Sequence, residues 1–311
     1  MLKISKGKVP RAVKTVIYGP EGIGKSTLAA QFPGALFVDM EGGTAQMDVA
    51  RVDKPQSWKE LLSIVREVAA TPDCCQTLVI DTADWAEKVM IEHILEDRNI
   101  KSIEDANYGR GYTYLGEEFM KLLEACDKVI QSGKNVVITA HAKMRKFEQP
   151  DEQGSYDRWE TKLTRQVAPL LKEWADMVLF ANYKTVVIKP DNKMNKNKVT
   201  GGKRVLYTTH HPCWDAKNRF NLPDELDLGF EGIAHIFGDV PKPLSPLEEL
   251  RKRMDDDGIS DLEIQKLVAA KGHFSEDTEI NDYPVDFIKG WLLPNWAAIS
   301  RDILDNPTAP F

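Results

Sequence analysis

The feature that most constrains this chain is a glycine-rich octapeptide close to the start of the sequence. Residues 19–26 read Gly-Pro-Glu-Gly-Ile-Gly-Lys-Ser and fit the pattern G-x-x-x-x-G-K-[ST] at every fixed position. A β-branched run over 13–18 precedes the pattern and a helical run over 25–32 follows it. The glycines let successive backbone N–H groups turn inward, where they can bind phosphate oxygens. The sequence therefore predicts a strand, a phosphate-binding loop (P-loop) and a helix.

This loop predicts a nucleotide site with ATP and Mg²⁺ as its ligands. Lys25 supplies a point charge for the β- and γ-phosphates, and the hydroxyl of Ser26 is a candidate ligand of Mg²⁺. Asp81 ends an apolar strand over 77–81 and is the second candidate ligand of the metal; the alternative is that it caps the next helix. The candidate nucleotide-binding residues are Gly19, Pro20, Glu21, Gly22, Ile23, Gly24, Lys25, Ser26 and Thr27.

Strand and helix patterns alternate along the first half of the chain. The predicted strands are 13–18, 35–40, 77–81 and 135–140, and the predicted helices are 25–32, 57–70, 85–95 and 117–131. This alternation is typical of a parallel sheet that is covered by helices on both faces.

The pattern changes in the second half. Two strand patterns, 177–188 and 204–209, have no helix between them, so we expect an antiparallel hairpin. A proline-rich stretch over 238–246 is typical of a linker. The predicted domains are a core at 1–237, the linker at 238–246 and a small helical domain at 247–311.

Charge and composition narrow the functional classes. The net charge is −7, and 245–311 holds seven basic and fourteen acidic residues, so the rest of the chain is close to neutral. This balance disfavours a protein that coats DNA along its whole surface but allows a local contact, for example through the basic segment 184–204. The sequence shows no membrane span or signal peptide, and its four cysteines lack metal or disulfide spacing, which predicts reduced thiols in a cytoplasm.

Further residues resemble those of RecA-like ATPases. The segment 36–43 is similar to the strand of that family that carries a catalytic glutamate, and Glu41 stands at that position. The resemblance implies that Glu41 orients or deprotonates the attacking water. Small-molecule kinases also place an acid there, and an exposed glutamate in a turn is the simplest alternative. His141, after strand 135–140, matches a residue that senses the γ-phosphate, where the family often has glutamine; a buried core histidine is the alternative.

Lys217 and Arg219 resemble the Lys-x-Arg element of RecA-like filaments and hexameric replicative helicases. The resemblance implies that these two cations reach across a subunit interface to the γ-phosphate of a neighbour. The protein would then hydrolyse ATP well only in a ring or a filament. A basic pair on the surface is the alternative.

A segment rich in basic and aromatic residues, 143–165, follows His141 and has no apparent structure of its own, which is typical of a functional loop. The segment 107–112 resembles the first DNA-facing loop of the phage group named below. The candidate DNA contacts are Arg110, Lys143, Arg145, Lys146, Arg158 and Trp159.

As a whole, the chain resembles the short RecA-like ATP-binding proteins of bacteriophages, a group linked to single-strand annealing and homologous recombination. The resemblance implies an α/β fold: a RecA-like P-loop NTPase core, with a mostly parallel sheet and an antiparallel extension, plus a small C-terminal helical domain. It implies a weak ATPase that DNA or oligomerisation stimulates, in the cytoplasm of an infected bacterial host. The implied partners are single-stranded DNA, further copies of the chain and a phage single-strand-binding or replication protein.

Three alternatives stay open at this point. The first is an ATPase of replication that acts as a loader or partner-binding component without affinity for DNA. The second is a small-molecule or nucleotide kinase, which the lack of a clear lid motif disfavours. The third is a module that holds ATP only as a structural ligand.

Overall fold

The computed structural model describes residues 6, 7, 9, 11–106, 109–148, 155–188, 198–237 and 244–305. The chain divides into two compact units, Met1–Pro241 and Lys242–Phe311. Most of the predicted linker, 238–243, lies outside the described residues. The four cysteines form no disulfide.

A single mixed sheet organises the first unit. In the described residues its strands are β1 (Lys14–Gly19), β2 (Ala35–Asp39), β3 (Ala50–Arg51), β4 (Thr77–Asp81), β5 (Asn135–Glu148), β6 (Ser155–Thr161), β7 (Met177–Ile188), β8 (Lys198–Tyr207), β9 (Lys217–Asn218) and β10 (Glu225–Asp227). They follow the order β10-β8-β7-β1-β5-β4-β2-β3, with β6 beside β5 and β9 beside β7. All pairings from β7 to β3 along this order are parallel, whereas β8 and β10 are antiparallel. The predicted parallel sheet with an antiparallel extension is confirmed.

Helices cover both faces of this sheet. They are α1 (Lys25–Ala29), α2 (Trp58–Ala70), α3 (Ala83–Arg98), α4 (Arg110–Gln131) and α5 (Val167–Trp174). The last four pack on one face, around buried side chains such as Trp58, Phe119 and Phe180. The other face is covered by α1 and the segment 220–237. Burial of each such side chain contributes about 1.5–3 kcal/mol, so both faces are held firmly.

A close backbone contact fixes the point where the P-loop leaves the sheet. Gly19 ends β1 beside β7, and a Cβ atom added to it would lie only 2.3 Å from the carbonyl oxygen of Ala181. Real Cβ atoms do not approach an oxygen so closely, so only glycine fits here. The first glycine of the motif is therefore required by packing as well as by phosphate binding.

The predicted loop over 143–165 is wrong for most of its length. Strand β5 continues beyond the sheet to Glu148 and pairs in antiparallel register with β6. Charged side chains stand on both faces of these two strands, so the alternation of apolar and polar residues that reveals a strand is missing from the sequence. We refer to β5 and β6 together as the β5–β6 hairpin; residues 149–154, between the two strands, lie outside the described residues.

The second unit is helical, as predicted. It contains α6 (Pro246–Asp257), α7 (Asp261–Ala270), α8 (Val285–Phe287) and α9 (Trp296–Asp305), with a π-helical turn at Ile288–Leu292. Its own core forms around Leu250, Ile264 and Leu292. Ser245 begins α6 in a reciprocal capping pair with Glu248. In the described part of the chain, no helix is both long and apolar enough to span a membrane.

Candidate nucleotide-binding site

The P-loop backbone follows the turn that the sequence predicts. Gly22 and Gly24 have φ angles of 71° and 112°, in the region that favours glycine. The ammonium group of Lys25 donates to the carbonyl oxygens of Gly19 at 3.2 Å and Pro20 at 3.0 Å. Because an ammonium group has three donors, one remains for a phosphate. Burial lowers the pKa of Lys25, and the nearby carboxylates of Asp81 and other acids oppose this effect.

Ser26, in the first turn of α1, meets Asp81 at the end of β4, although β1 and β4 are not neighbours. The hydroxyl of Ser26 donates to Asp81 Oδ2 at 2.6 Å. Strand β5 separates β1 from β4, and Thr139 on β5 donates its hydroxyl to the other oxygen of Asp81. Hydroxyl and carboxylate oxygens are the hard ligands that Mg²⁺ prefers, usually with several waters and substrate phosphates. The residues present therefore fit a magnesium ion at the mouth of the P-loop.

Glu41 stands on a turn that Asp39 organises. The carboxylate of Asp39 accepts hydrogen bonds from the backbone N–H groups of Glu41 at 3.1 Å and Gly42 at 2.7 Å. It also accepts from the backbone of Gly43 and from the backbone and hydroxyl of Thr44. Burial alone would raise the pKa of Asp39, but these hydrogen bonds outweigh it and lower that pKa. The turn is thus held rigidly, and the Glu41 side chain stays 35% exposed.

His141 forms a fixed pair with Asp84 in the first turn of α3. Its backbone N–H donates to Asp84 Oδ1 at 2.9 Å, and its ring Nδ1 lies 2.9 Å from Asp84 Oδ2. Burial acts to raise the pKa of Asp84, but the hydrogen bonds from His141 lower it overall. Because Nδ1 contacts Asp84, Nε2 lies on the other side of the ring, 3.9 Å from Glu41 Oε2. The structure thus brings Lys25, Ser26, Asp81, Glu41 and His141 to one edge of the sheet.

Lys217 and Arg219 lie at the opposite edge. Strand β9 pairs with the first residues of β7, where Val178 is opposite Lys217. The ammonium group of Lys217 donates to the carbonyl oxygens of Lys172, Glu173 and Ala175, which end α5. Arg219 pairs with Asp176 at 2.8 Å. Neither cation can reach a phosphate on the P-loop of its own chain, so their predicted role on a neighbouring molecule stays a prediction.

The six predicted DNA contacts fall into two groups. Arg110, Arg145 and Lys146 are exposed. Lys143, Arg158 and Trp159 are engaged within the chain. Lys143 donates to the carbonyl of Leu163 at 2.7 Å, Arg158 pairs with Asp215 at 2.6 Å, and the Trp159 ring packs 6.0 Å from that of Phe180. The first group alone is available to an external ligand.

Four residues of this region were missed by sequence reasoning: Asp39, Asp84, Thr139 and Arg204. An Asp that ends a strand pattern three residues before Gly-Gly-Thr is a turn signal that could have identified Asp39. Asp84 lies in the first turn of a helix, a position that favours acids. Arg204 donates to the carbonyl of Ile23 in the P-loop at 3.2 Å, and nothing local in the sequence indicates this contact.

A family model described as an AAA domain, AAA_24, matches residues 11–220, which is more than half of the chain. The match contains the P-loop, Glu41, Asp81, His141 and Lys217.

Three individual proteins are similar at low identity. The SPbeta prophage-derived uncharacterized protein YorG of Bacillus subtilis (strain 168) is 23% identical over 144 residues, which cover 45% of this chain and 43% of that protein. The flagellar accessory protein FlaH from Methanocaldococcus jannaschii is 14% identical, with a TM-score of 0.33, over 65% of this chain and 79% of its own. The KaiC-like protein PH0186 from Pyrococcus horikoshii OT3 is 17% identical, with a TM-score of 0.34, over 64% of this chain and 79% of its own.

Proposed function

The chain belongs to the AAA_24 family of AAA domains, and from this premise we propose that it is a Mg²⁺-dependent ATPase acting on single-stranded DNA in phage recombination or strand annealing. One observation carries the ATPase part of the proposal. The contact of 2.6 Å between Ser26 and Asp81 joins the P-loop to a second strand, at the edge where Glu41 and His141 also lie. A P-loop that only held a structural nucleotide would not need this set of acids.

Each residue has a separate task in this proposal. The loop N–H groups and Lys25 bind the β- and γ-phosphates, while Ser26 and Asp81 hold the metal. The metal ion, when bound, neutralises charge that develops on the phosphate oxygens. Glu41 orients the attacking water and takes its proton. His141 is held by Asp84 so that its Nε2 faces the γ-phosphate position and reports whether a phosphate is present.

The DNA part of the proposal is supported by other features. Arg110, Arg145 and Lys146 are exposed cations, and the β5–β6 hairpin continues directly from His141. The name of the Bacillus subtilis relative refers to a prophage, which supports a phage setting. Lys217 and Arg219 lie at the opposite edge from their own nucleotide site, where α5 and Asp176 hold them, so in this proposal assembly into a ring or filament releases them to serve a neighbour.

The test is ATP hydrolysis by the purified chain at low salt, with and without single-stranded DNA, beside Lys25→Ala. We expect slow hydrolysis that DNA stimulates and that Lys25→Ala abolishes. Hydrolysis that survives in Lys25→Ala would exclude this site as its source. Hydrolysis in the wild type with no response to DNA and no DNA binding in ATP would contradict the DNA part alone.

One observation favours a second candidate, a replication ATPase that loads or binds protein partners. Lys143, Arg158 and Trp159 are engaged within the chain, so the hairpin offers fewer contacts to DNA than its sequence suggests. The acidic residues of 245–311 would then dock a basic partner. The same assay separates the candidates, because the second predicts hydrolysis that is insensitive to DNA.

A further inference from the structure

A pocket of about 190 Å³ lies on the face of β1 that is turned away from the P-loop. Its floor is formed by Val16 and Tyr18 of β1 and by Val178 of β7. These side chains belong to the core beneath α2–α5, whereas Ile17 and the P-loop residue Ile23 belong to the other core. The pocket is therefore separated from the nucleotide site by the thickness of the sheet.

The rim of the pocket carries an excess of positive charge. Arg145 comes from β5, Arg165 from the segment before α5, and Lys172 from α5 itself. Two acids also line it, and both already face cations of the chain. Asp215 lies 2.6 Å from Arg158 and 3.2 Å from Lys172, and Glu160 lies 3.9 Å from Arg145. The rim thus carries three cations and two carboxylates, and no described residue forms an ion pair with Arg165.

The hairpin places two of these cations in an unfavourable position. Arg145 and Arg158 are directly opposite each other in the register of β5 and β6, and like charges in such a pair destabilise a sheet. The Nε atom of Arg158 is buried and has no hydrogen-bond partner in the described part of the chain. Glu160 and Asp215 offset part of this repulsion, and an anion bound between the strand and α5 would offset more of it.

The size of the pocket limits the ligand. Sites that enclose a whole cofactor or drug-sized molecule usually have roughly 300–1,000 Å³, so about 190 Å³ suits one unit of a longer molecule. An apolar floor with a cationic rim matches a base and its adjacent phosphate. We propose that this pocket binds one nucleotide of a single-stranded DNA, with the base on the floor and the phosphate on Arg145, Arg165 and Lys172. The inference rests on the proposed function, since it assumes that DNA is a ligand.

The experiment measures the binding of a dT oligonucleotide to the full chain by fluorescence anisotropy, with ATP present and at several salt concentrations. The variants are Arg165→Ala, Arg165→Glu and Ala168→Phe, the last of which fills the pocket from α5. Lys59→Glu on α2 is the matched control, because it reverses an exposed charge far along the chain from the pocket. Circular dichroism and ATP binding verify that each variant is folded.

We expect Arg165→Glu to weaken binding at least tenfold and Arg165→Ala to reduce the salt slope by about one unit. Ala168→Phe should weaken binding of the dT oligonucleotide while an abasic oligonucleotide of equal length, already weaker on the wild type, is unaffected. Variants that bind like the wild type and like Lys59→Glu would overturn the pocket and leave the proposed function intact. Equal binding of abasic and dT oligonucleotides would overturn base insertion. A wild type that hydrolyses ATP but binds no DNA would overturn both the pocket and the DNA part of the proposed function.

Discussion

The two ends of β1 carry clusters built from the same kinds of residue, yet only one of them is open to a ligand. At the carboxyl end, Lys25 uses two of its donors and Glu41 is partly exposed. At the amino end, Asp176 is buried and pairs with both Arg11 and Arg219. Its second oxygen accepts the backbone N–H of Lys14 at 3.3 Å.

The difference lies in how each cluster satisfies its charges. Acids and cations at the amino end neutralise one another and join distant segments of the chain, which is a structural task. At the carboxyl end, polar groups lie at the same edge of the sheet and retain hydrogen-bond donors and acceptors that have no partner within the described part of the chain. A cluster of charged residues therefore indicates a ligand-binding site only where some of its donors and acceptors have no partner within the chain.

The largest effect should come from the open cluster. Lys25→Ala should reduce hydrolysis to background, at least 10²-fold, because an electrostatic contact to the reacting phosphate is lost. It should also abolish the rise in melting temperature that ATP produces. Arg11→Ala, at the closed cluster, should retain this rise. If Arg11→Ala also lost it, the distinction between the two ends of β1 would be broken.

Glu41→Gln should lower kcat by about 10²–10⁴-fold, the usual contribution of a general base, with little change in ATP affinity.

Lys217→Ala should lower kcat only in the assembled protein. Mixing Lys217→Ala with Glu41→Ala then tests the role across an interface, since a hybrid interface can combine an intact Glu41 with an intact Lys217. Activity of the mixture no higher than that of the separate variants would argue against this role and leave Lys217 as a helix cap.

Asp176→Ala should destabilise the fold by about 2 kcal/mol, because it removes the buried carboxylate that accepts the backbone N–H of Lys14 and joins two half-exposed arginines. Arg219→Ala removes one exposed member of the same cluster and should cost less than about 1 kcal/mol. Urea denaturation measures both values. Similar costs for the two variants would show that Asp176 is not the centre of the cluster.

Asp39→Asn should destabilise the chain by about 2 kcal/mol at pH 7, because several hydrogen bonds to a carboxylate are weakened. The pKa of Asp39 is lowered in the folded chain, so the ionised form stabilises the fold above the ordinary aspartate pKa of about 3.9. This stability is lost as pH falls through the lowered pKa. The difference in the free energy of unfolding between Asp39→Asn and the wild type should therefore become smaller below about pH 4. Denaturation curves from pH 3 to 7 measure this difference, and a value that does not change with pH would contradict the prediction.

The sequence allowed prediction of those parts of the fold that depend on local pattern. The P-loop and the alternation of strands and helices both follow from neighbouring residues. The β5–β6 hairpin was missed because its charged side chains hide the strand pattern. The Asp84–His141 pair was missed because it joins residues 57 positions apart, and only the sheet order brings them together.

The length of β5 has a mechanical consequence. His141 and Glu148 stand on one uninterrupted strand of 14 residues, so the seven residues between the phosphate edge and the end of the strand span about 23 Å at about 3.3 Å per residue. A tilt of about 5° at His141 would displace the far end by about 2 Å over that length. A small change in strand direction at the phosphate edge would therefore produce a larger displacement at the hairpin.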